Sequence, residues 1–206
     1  MSLICAVEGE TDVPVARKIV LLAGWEQAPR PIVGRGKDPL DRDLRAFNSA
    51  AKGSPWFVLR DLDHDAPCPG LLVSRLLPRR EPLMCLRVAV RAIESWLMAD
   101  SETLATFLHV PGSKIPSNPE GEDDPKRTMV DLARRSTKPA IQRAMLPPRG
   151  VSRRTGPGYE ASIIAYAEGH WRADVARGRS PSLHRAVDAL ERLRDAWCTV
   201  FPVLSR

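Results

Sequence analysis

Short, continuous apolar runs alternate with segments of helical periodicity in the first half of the chain. The apolar runs span residues 3–7, 30–34, 56–59 and 84–90. We expect helices after the first run, from Thr11 or Asp12 to Gly24, over 40–51, and after the fourth run. Continuous apolar strands that alternate with helices are typical of a parallel sheet with both faces covered. The pattern therefore predicts an α/β fold with a parallel sheet of about four strands flanked by helices.

The second half of the chain is richer in loops and helices. Two proline-rich loops span 111–126 and 146–159, and the clearest helix begins at Pro181 and repeats apolar residues at helical spacing. We interpret residues 1–100 as an α/β core and residues 101–206 as a mostly helical extension packed on that core.

Bulk properties exclude several classes of protein. The chain has 206 residues, of which 43% are hydrophobic, and its apolar runs are far too short to span a membrane. Acidic residues follow the first run at once, so we expect a first strand there and not a signal peptide. The four cysteines show no CxxC spacing, which favours reduced thiols in a cytoplasmic protein. No P-loop or GxGxxG motif occurs, which argues against a helicase, a kinase or a dehydrogenase.

The net charge of +6 favours a polyanionic partner without requiring one. Arginine outnumbers lysine and occurs in pairs, among them Arg79-Arg80, Arg134-Arg135 and Arg153-Arg154. The planar guanidinium group suits phosphate binding, and a solvated arginine-rich surface is the alternative interpretation of any single pair.

Two acidic clusters follow predicted strands. Glu8-Gly9-Glu10-Thr11-Asp12 comes after the first run, and Asp61-Leu62-Asp63-His64-Asp65 comes after the third. In parallel sheets ligands bind beyond the carboxyl ends of the strands, and clustered carboxylates repel one another unless a cation is present. Asp61 and Asp63, at i and i+2 of an extended segment, would share a side. We therefore expect a divalent metal site, with capping residues and an aspartate-rich turn as the alternative.

The two clusters resemble the signature motifs of the TOPRIM domain, which type II topoisomerases, primases and overcoming-lysogenization-defect-type nucleases share. The chain is more closely similar to an uncharacterised bacterial TOPRIM-like family. The segments that carry this second resemblance are Val7–Asp12, Asp61–Asp63, Arg87–Trp96, Asp124–Lys126, Gly156–Tyr159 and Ser180–Leu183. The resemblance implies a Rossmann-like TOPRIM core that binds Mg²⁺ or Mn²⁺, as one ion or two.

The resemblance also implies roles for single residues. Glu8 would be the catalytic acid/base or metal-bridging glutamate, and Asp61 and Asp63 would be metal ligands. Asp12 matches an acidic position that helps to bind the first metal. Glu94 would complete a second metal site, or would only stabilise the first turn of a helix.

Basic residues complete the predicted site. Lys126 would neutralise charge on the reacting phosphate, although Asp124-Pro125-Lys126 is also an ordinary helix start. The residues expected to bind substrate are Arg87, Arg91, Arg153 and Arg154. Tyr159 would stack on a base, or would be a buried structural tyrosine, which we favour.

We expect a Mg²⁺-dependent phosphodiesterase that cleaves DNA or RNA. The resemblance to the nuclease group adds the expectation of a bacterial anti-phage defence system with a separately encoded ATPase. The alternatives are a non-catalytic module that binds nucleic acid or a protein partner, and a small-molecule phosphohydrolase. The sequence leaves the oligomeric state open.

Overall fold

The computed structural model describes the backbone of residues 3–200 and the side chains of residues 3–199. The strands are β1 (Ile4–Val7), β2 (Ile32–Val33), β3 (Trp56–Asp61) and β4 (Met84–Ala89). The α-helices are α1 (Asp12–Leu22), α2 (Lys37–Ala50), α3 (Pro69–Leu76), α4 (Ile93–Ala99), α5 (Ser101–Leu108), α6 (Pro125–Arg134), α7 (Pro139–Met145), α8 (Tyr159–Gly169), α9 (Ala173–Arg177) and α10 (Pro181–Val200). Two short 3-10 helices lie at Gly112–Lys114 and Pro119–Gly121.

The four strands form one parallel sheet in the order β2-β1-β3-β4. Strand β3 lies between β1 and β4, and all six of its residues are buried. Val7 at the end of β1 pairs with Leu59 of β3, and Asp61 pairs with Ala89 at the end of β4. The predicted α/β class, the parallel sheet of about four strands and the helical C-terminal region are confirmed.

The described residues divide into two compact units, one of residues 3–90 with 181–200 and the other of residues 91–180. The grouping differs from the predicted division into 1–100 and 101–206, because the last helix belongs with the sheet and α4 belongs with the other helices. Residues 201–206 of the predicted extension lie outside the described residues.

Helix α10 covers strand β4 in the first unit, with one apolar face buried. Helix α10 is also hydrogen-bonded to the segment that follows α1. The Trp25 indole N–H donates to the Leu190 carbonyl at 3.2 Å, and Arg194 Nη1 donates to the Ala23 carbonyl at 2.8 Å. Gly24 follows with φ of +82°, a conformation that glycine adopts without steric cost. The helix that the sequence predicts most clearly therefore completes the core of the sheet.

The second unit is organised around helix α4, whose seven residues are all buried. Asp100 follows this helix, is fully buried, and accepts hydrogen bonds from the backbone N–H, Nε and Nη2 of Arg172 at 2.8–3.0 Å. Burial alone would raise the pKa of Asp100, but the bonds from Arg172 outweigh it and lower the pKa. The buried charge is thus balanced within the unit.

No helix in the described part of the chain has the length and apolar character that crossing a membrane requires. All four cysteines are free thiols, and Cys5 and Cys85 are buried. Burial raises the pKa of the Cys5 thiol far above its usual range, so this thiol stays protonated.

Candidate functional site

Glu8 and Asp61 are brought together at the carboxyl ends of two neighbouring strands. Glu8 follows β1 directly, Asp61 is the last residue of β3, and the two strands pair in parallel. The backbone N–H of Asp61 donates to Glu8 Oε2 at 3.4 Å. Asp61 is only 4% exposed. The topology therefore places both acidic residues at one edge of the sheet, as the sequence predicts.

Asp12 fixes the loop that carries Glu8. Its Oδ2 accepts the backbone N–H of Gly9 at 2.9 Å, and its Oδ1 accepts the Thr11 hydroxyl at 3.4 Å. Thr11 occupies the N-cap position of α1, and Asp12 is the first helical residue. The carboxylate of Asp12 is therefore bound to the residue that directly follows Glu8. Its predicted role as a metal ligand stays a prediction.

The second acidic cluster does not continue the strand. The Leu62 N–H still pairs with the Ala89 carbonyl at 2.9 Å, but the Asp65 N–H then donates to the Leu62 carbonyl at 3.1 Å, which closes a turn. Asp63 lies in this turn with φ of +47°. The prediction that Asp61 and Asp63 share one side of an extended segment is wrong, because the turn requires a left-handed residue and aspartate is among those that tolerate it.

Two cations of the protein bind the carboxylates of this turn. Lys37 Nζ lies 2.8 Å from Asp65 Oδ1 and 3.4 Å from Asp63 Oδ2. Arg60 Nη2 lies 2.6 Å from Asp65 Oδ2. The hydrogen bond from Lys37 and the bonds and charge of Arg60 lower the pKa of Asp65. Mutual repulsion among these aspartates is thus relieved without any metal ion.

Arg60 also ties the end of β3 to helix α2. Its Nε and Nη2 donate to the carboxylate of Asp41 at 3.1 and 3.0 Å, and its Nη1 donates to the Asp61 carbonyl. Burial alone would lower the pKa of Arg60, but the hydrogen bonds to Asp41 and Asp65 raise it, so the group stays charged. Successive strand residues point to opposite faces of a sheet, so the side chains of Arg60 and Asp61 lie on opposite faces.

Sequence reasoning missed Lys37, Arg60 and Asp41. A signal was present for Arg60, because a charge that continues a buried strand must be paired. The ion-pair partners were not visible in the sequence because they are far apart along the chain. Asp41 is 19 residues from Arg60, and Lys37 is 26 residues from Asp63.

Among residues 3–200, no group of three or more His, Cys, Asp or Glu side chains is arranged to hold a metal ion. Mg²⁺ needs fewer ligands than that, because it keeps several waters and takes one or two carboxylates together with substrate phosphates. Glu8 and Asp61 supply two hard oxygen donors at one sheet edge, so the pair fits such an ion.

Glu94 lies in the second unit, in the first turn of α4, and is fully buried. Its Oε1 accepts the Tyr159 hydroxyl at 3.0 Å, and its Oε2 is buried without a hydrogen-bond partner among the described residues. Burial raises the pKa of Glu94, against the opposing charge of Lys126. Tyr159 is 3% exposed, which confirms the expectation of a buried structural tyrosine. A metal-binding role of Glu94 stays a prediction.

Lys126 lies in the first turn of α6. The Asp124 side chain caps this helix by accepting the Arg127 N–H at 3.0 Å, and Pro125 occupies the first turn. The interpretation of this motif as a helix start is confirmed. Lys126 also lines a cavity of about 300 Å³, and the catalytic role predicted for it stays a prediction.

Three of the four arginines predicted to bind substrate lie in the second unit. Arg91 has φ of +61° and lies 4.0 Å from Asp123. Arg154 lines the same cavity as Lys126 and is ion-paired with Asp124, whereas Arg153 is exposed. The fourth, Arg87, lies within β4 in the first unit and lines a different cavity, of about 360 Å³.

Comparison with known proteins gives no relative for this chain. Searches against protein-family models, curated proteins and solved structures found no match. The similarity to TOPRIM proteins therefore rests on the motifs quoted above and stays a prediction, whereas the α/β class rests on the strands and helices themselves.

Proposed function

We propose that this protein is a Mg²⁺-dependent phosphodiesterase that acts on nucleic acid. The observation that carries the proposal is the meeting of Glu8 and Asp61 at the carboxyl edge between β1 and β3. Glu8 and Asp61 would hold the ion, which supplies Lewis-acid stabilisation of the charge on a phosphate. Arg60 fixes the main chain of Asp61, and Asp12 fixes that of Gly9 beside Glu8.

The basic character of the chain supports a polyanionic substrate. The net charge is +6, and each unit contains a cavity lined by several cationic side chains. Such surfaces attract the phosphate backbone irrespective of base sequence. A bacterial defence context and a separately encoded ATPase belong to the proposal through the TOPRIM resemblance alone.

A second candidate is a non-catalytic module that binds nucleic acid. The specific observation in its favour is the pairing of Asp63 and Asp65 with Lys37 and Arg60. Residue Asp63, which the TOPRIM motif assigns to a metal, is bound here to a cation of the protein. If the remaining two carboxylates do not suffice for an ion, binding would occur without cleavage.

A cleavage assay separates the two candidates. Labelled single- and double-stranded DNA and RNA are incubated with wild-type protein in Mg²⁺ or Mn²⁺, and with Glu8→Gln. Glu10→Gln is the matched control, since Glu10 lies in the same loop and is exposed. We expect wild type and Glu10→Gln to cleave at least one substrate and Glu8→Gln to lose about 100-fold or more in rate.

Two results would contradict the nuclease proposal. One is equal cleavage by wild type and Glu8→Gln, which would indicate a contaminating activity. The other is binding of a substrate with strong salt dependence but no cleavage, which would establish the second candidate.

A further inference from the structure

A pocket of about 360 Å³ in the first unit is lined by three arginines and, among the described residues, by no acidic side chain. Arg87 comes from strand β4, Arg185 from helix α10, and Arg80 from the segment between α3 and β4. The hydroxyl side chains of Ser74 and Ser182 also line this pocket. The lining is therefore strongly positive and also offers neutral hydrogen-bonding groups.

The arginines of this pocket are not balanced by carboxylates. Within the described part of the chain, Arg80, Arg87 and Arg185 form no ion pair with an acidic side chain. Arg60 of the same unit, by contrast, binds two aspartates. Unpaired cations that converge on one cavity are complementary to an anion.

Arg87 supplies a second, independent observation. Its Nε is buried and has no hydrogen-bond partner among the described residues. A buried donor that loses its water without gaining an acceptor is unfavourable. An oxyanion in the pocket would provide an oxygen acceptor for this nitrogen.

Two helices begin at the pocket. Pro69 and Gly70, at the start of α3, and Ser182, in the first turn of α10, all belong to its lining. Ser182 Oγ accepts the Val90 N–H at 3.4 Å, which ties the start of α10 to the end of β4. The positive ends of both helix dipoles thus add to the field of the arginines.

The buried thiol of Cys85 lies close enough to these arginines for their positive charge to affect its pKa. Burial raises the pKa of Cys85, and the charge and hydrogen bond of Arg87, together with the charges of Arg80 and Arg192, act in the opposite direction.

The cavity of the second unit is also basic but differs in its pairing. Its lining includes Lys126 and three arginines. Asp131 pairs with both Arg127 and Arg134, and Asp124 pairs with Arg154. Those arginines already have anionic partners, so that cavity makes a weaker anion site.

We propose that the pocket formed by Arg80, Arg87, Arg185 and Ser182 binds a phosphate group, from a nucleic-acid strand or from a free nucleotide. Arg87 contacts the oxyanion through the buried Nε, while the exposed Arg80 and Arg185 close over it from the rim. Phosphate binding at this pocket does not depend on cleavage at Glu8 and Asp61, and the two properties are measured separately.

Isothermal titration with inorganic phosphate, a 5′-mononucleotide and a short single-stranded oligonucleotide, in metal-free buffer, tests the proposal. The variant is Arg80→Gln/Arg185→Gln, in which both substituted residues are exposed and the fold is expected to persist. The matched control is Arg42→Gln/Arg45→Gln, which removes the same charge from the exposed side of α2. We expect the pocket variant to weaken phosphate binding about tenfold or more and the control to change it less than about twofold.

The titrations with the mononucleotide and the oligonucleotide identify the source of the phosphate. If the phosphate belongs to a nucleic-acid strand, the pocket variant binds the oligonucleotide more weakly. The slope of its log binding constant against log salt concentration then decreases in magnitude by about 1.4, for two lost phosphate contacts. If it is a nucleotide, the mononucleotide alone loses affinity. Arg87→Gln, with a thermal melt to verify folding, is expected to reproduce the loss. Equal weakening by the pocket variant and the control, or no saturable binding of any probe by wild type, would overturn the proposal.

Discussion

The two acidic loops of the first unit each contain three carboxylates and follow neighbouring strands, yet their carboxylates have different hydrogen-bond partners. In the loop of residues 61–65, Asp65 is bound by the charged groups of Lys37 and Arg60. In the loop of residues 8–12, Asp12 accepts a backbone N–H and a hydroxyl, and Glu8 accepts a backbone N–H. Neutral donors orient a carboxylate without cancelling its charge. The comparison teaches that a cluster of acids in a sequence is weaker evidence for a metal where cations of the protein bind its carboxylates.

The largest expected effect is a difference in cleavage rate between substitutions at Asp61 and at Asp65. Asp61→Asn removes a carboxylate charge at the sheet edge and is expected to lower the cleavage rate about 100-fold or more. Asp65→Asn, four residues later, is expected to keep the rate within about threefold, since this carboxylate serves an ion pair of modest energy. Rates are measured with the substrate that wild type cleaves best. Equal losses in the two variants would remove the distinction between the loops.

The next effect concerns the cation that the second loop uses. Arg60 is 2% exposed and binds Asp41 and Asp65, which are partly exposed. Arg60→Met keeps an apolar stem but removes the hydrogen bonds to Asp41 and leaves Asp65 with Lys37 alone. We therefore expect a loss of about 2–4 kcal/mol in the free energy of unfolding. Urea denaturation measures it, with the exposed Arg42→Met as control. A loss below about 0.5 kcal/mol would show that the ion pairs contribute nothing net.

Glu94 extends the comparison to a fully buried carboxylate, which accepts a hydrogen bond from the Tyr159 hydroxyl. Its pKa lies above the ordinary value of 4.5, chiefly because of burial. The folded protein thus holds this proton more tightly than the unfolded chain, so the contribution to stability is full below pH 4.5 and is lost as the pH rises through the folded pKa.

Glu94→Gln removes that titration. At pH 8 we expect it to raise the free energy of unfolding by about 1–2 kcal/mol, because it removes a carboxyl group that the fold must either bury as a charge or keep protonated above its ordinary pKa. At pH 4 the gain should disappear. Thermal melts across this range measure the effect, and the exposed Glu160→Gln should show no such trend. A loss of stability at pH 8 would indicate that the Glu94 charge is stabilised by its surroundings.

The smallest effects compare single ion pairs in the second loop. The pKa of Asp65 lies below its ordinary value of 3.8, first because of its hydrogen bond from Lys37. Its contribution is therefore present above pH 3.8 and is lost as the pH falls through the folded pKa. Asp65→Asn should cost about 1 kcal/mol at pH 7 and much less at pH 3. Asp63→Asn should cost less than about 0.5 kcal/mol, since Asp63 is 38% exposed and 3.4 Å from Lys37. A pH-independent cost for Asp65→Asn would exclude the ion pair as its cause.

The sequence predicted the sheet well because a buried parallel strand has to be apolar on both faces. The run at 56–59 marks β3, but the strand continues through Arg60 and Asp61, whose polarity hides their burial. Helix α3 was not predicted at all, since the Cys68-Pro69-Gly70 segment at its start has the composition of a turn. The start of helix α10 was predicted at Pro181, where the structure has it, because Ser180 and Pro181 are typical of a helix start.

The candidate site was predictable where it follows from topology. Parallel pairing of β1 with β3 brings Glu8 to Asp61, and strand ends are readable in the sequence. The ion pairs were not predictable, since they depend on contacts between residues far apart in the chain, such as Lys37 with Asp65. The turn at Asp63 depends on backbone conformation, which an extended pattern of alternating aspartates does not reveal.

The most direct test of the central claim is a crystal soaked in Mn²⁺ and measured for anomalous scattering. If Glu8 and Asp61 form the metal site, the anomalous peak lies between their carboxylates in wild-type crystals and is absent from Asp61→Asn. The turn at Asp63 and Asp65 should carry no peak, because Lys37 and Arg60 occupy its carboxylates. A peak at that turn, or none near Glu8 and Asp61 at saturating Mn²⁺, would contradict the account.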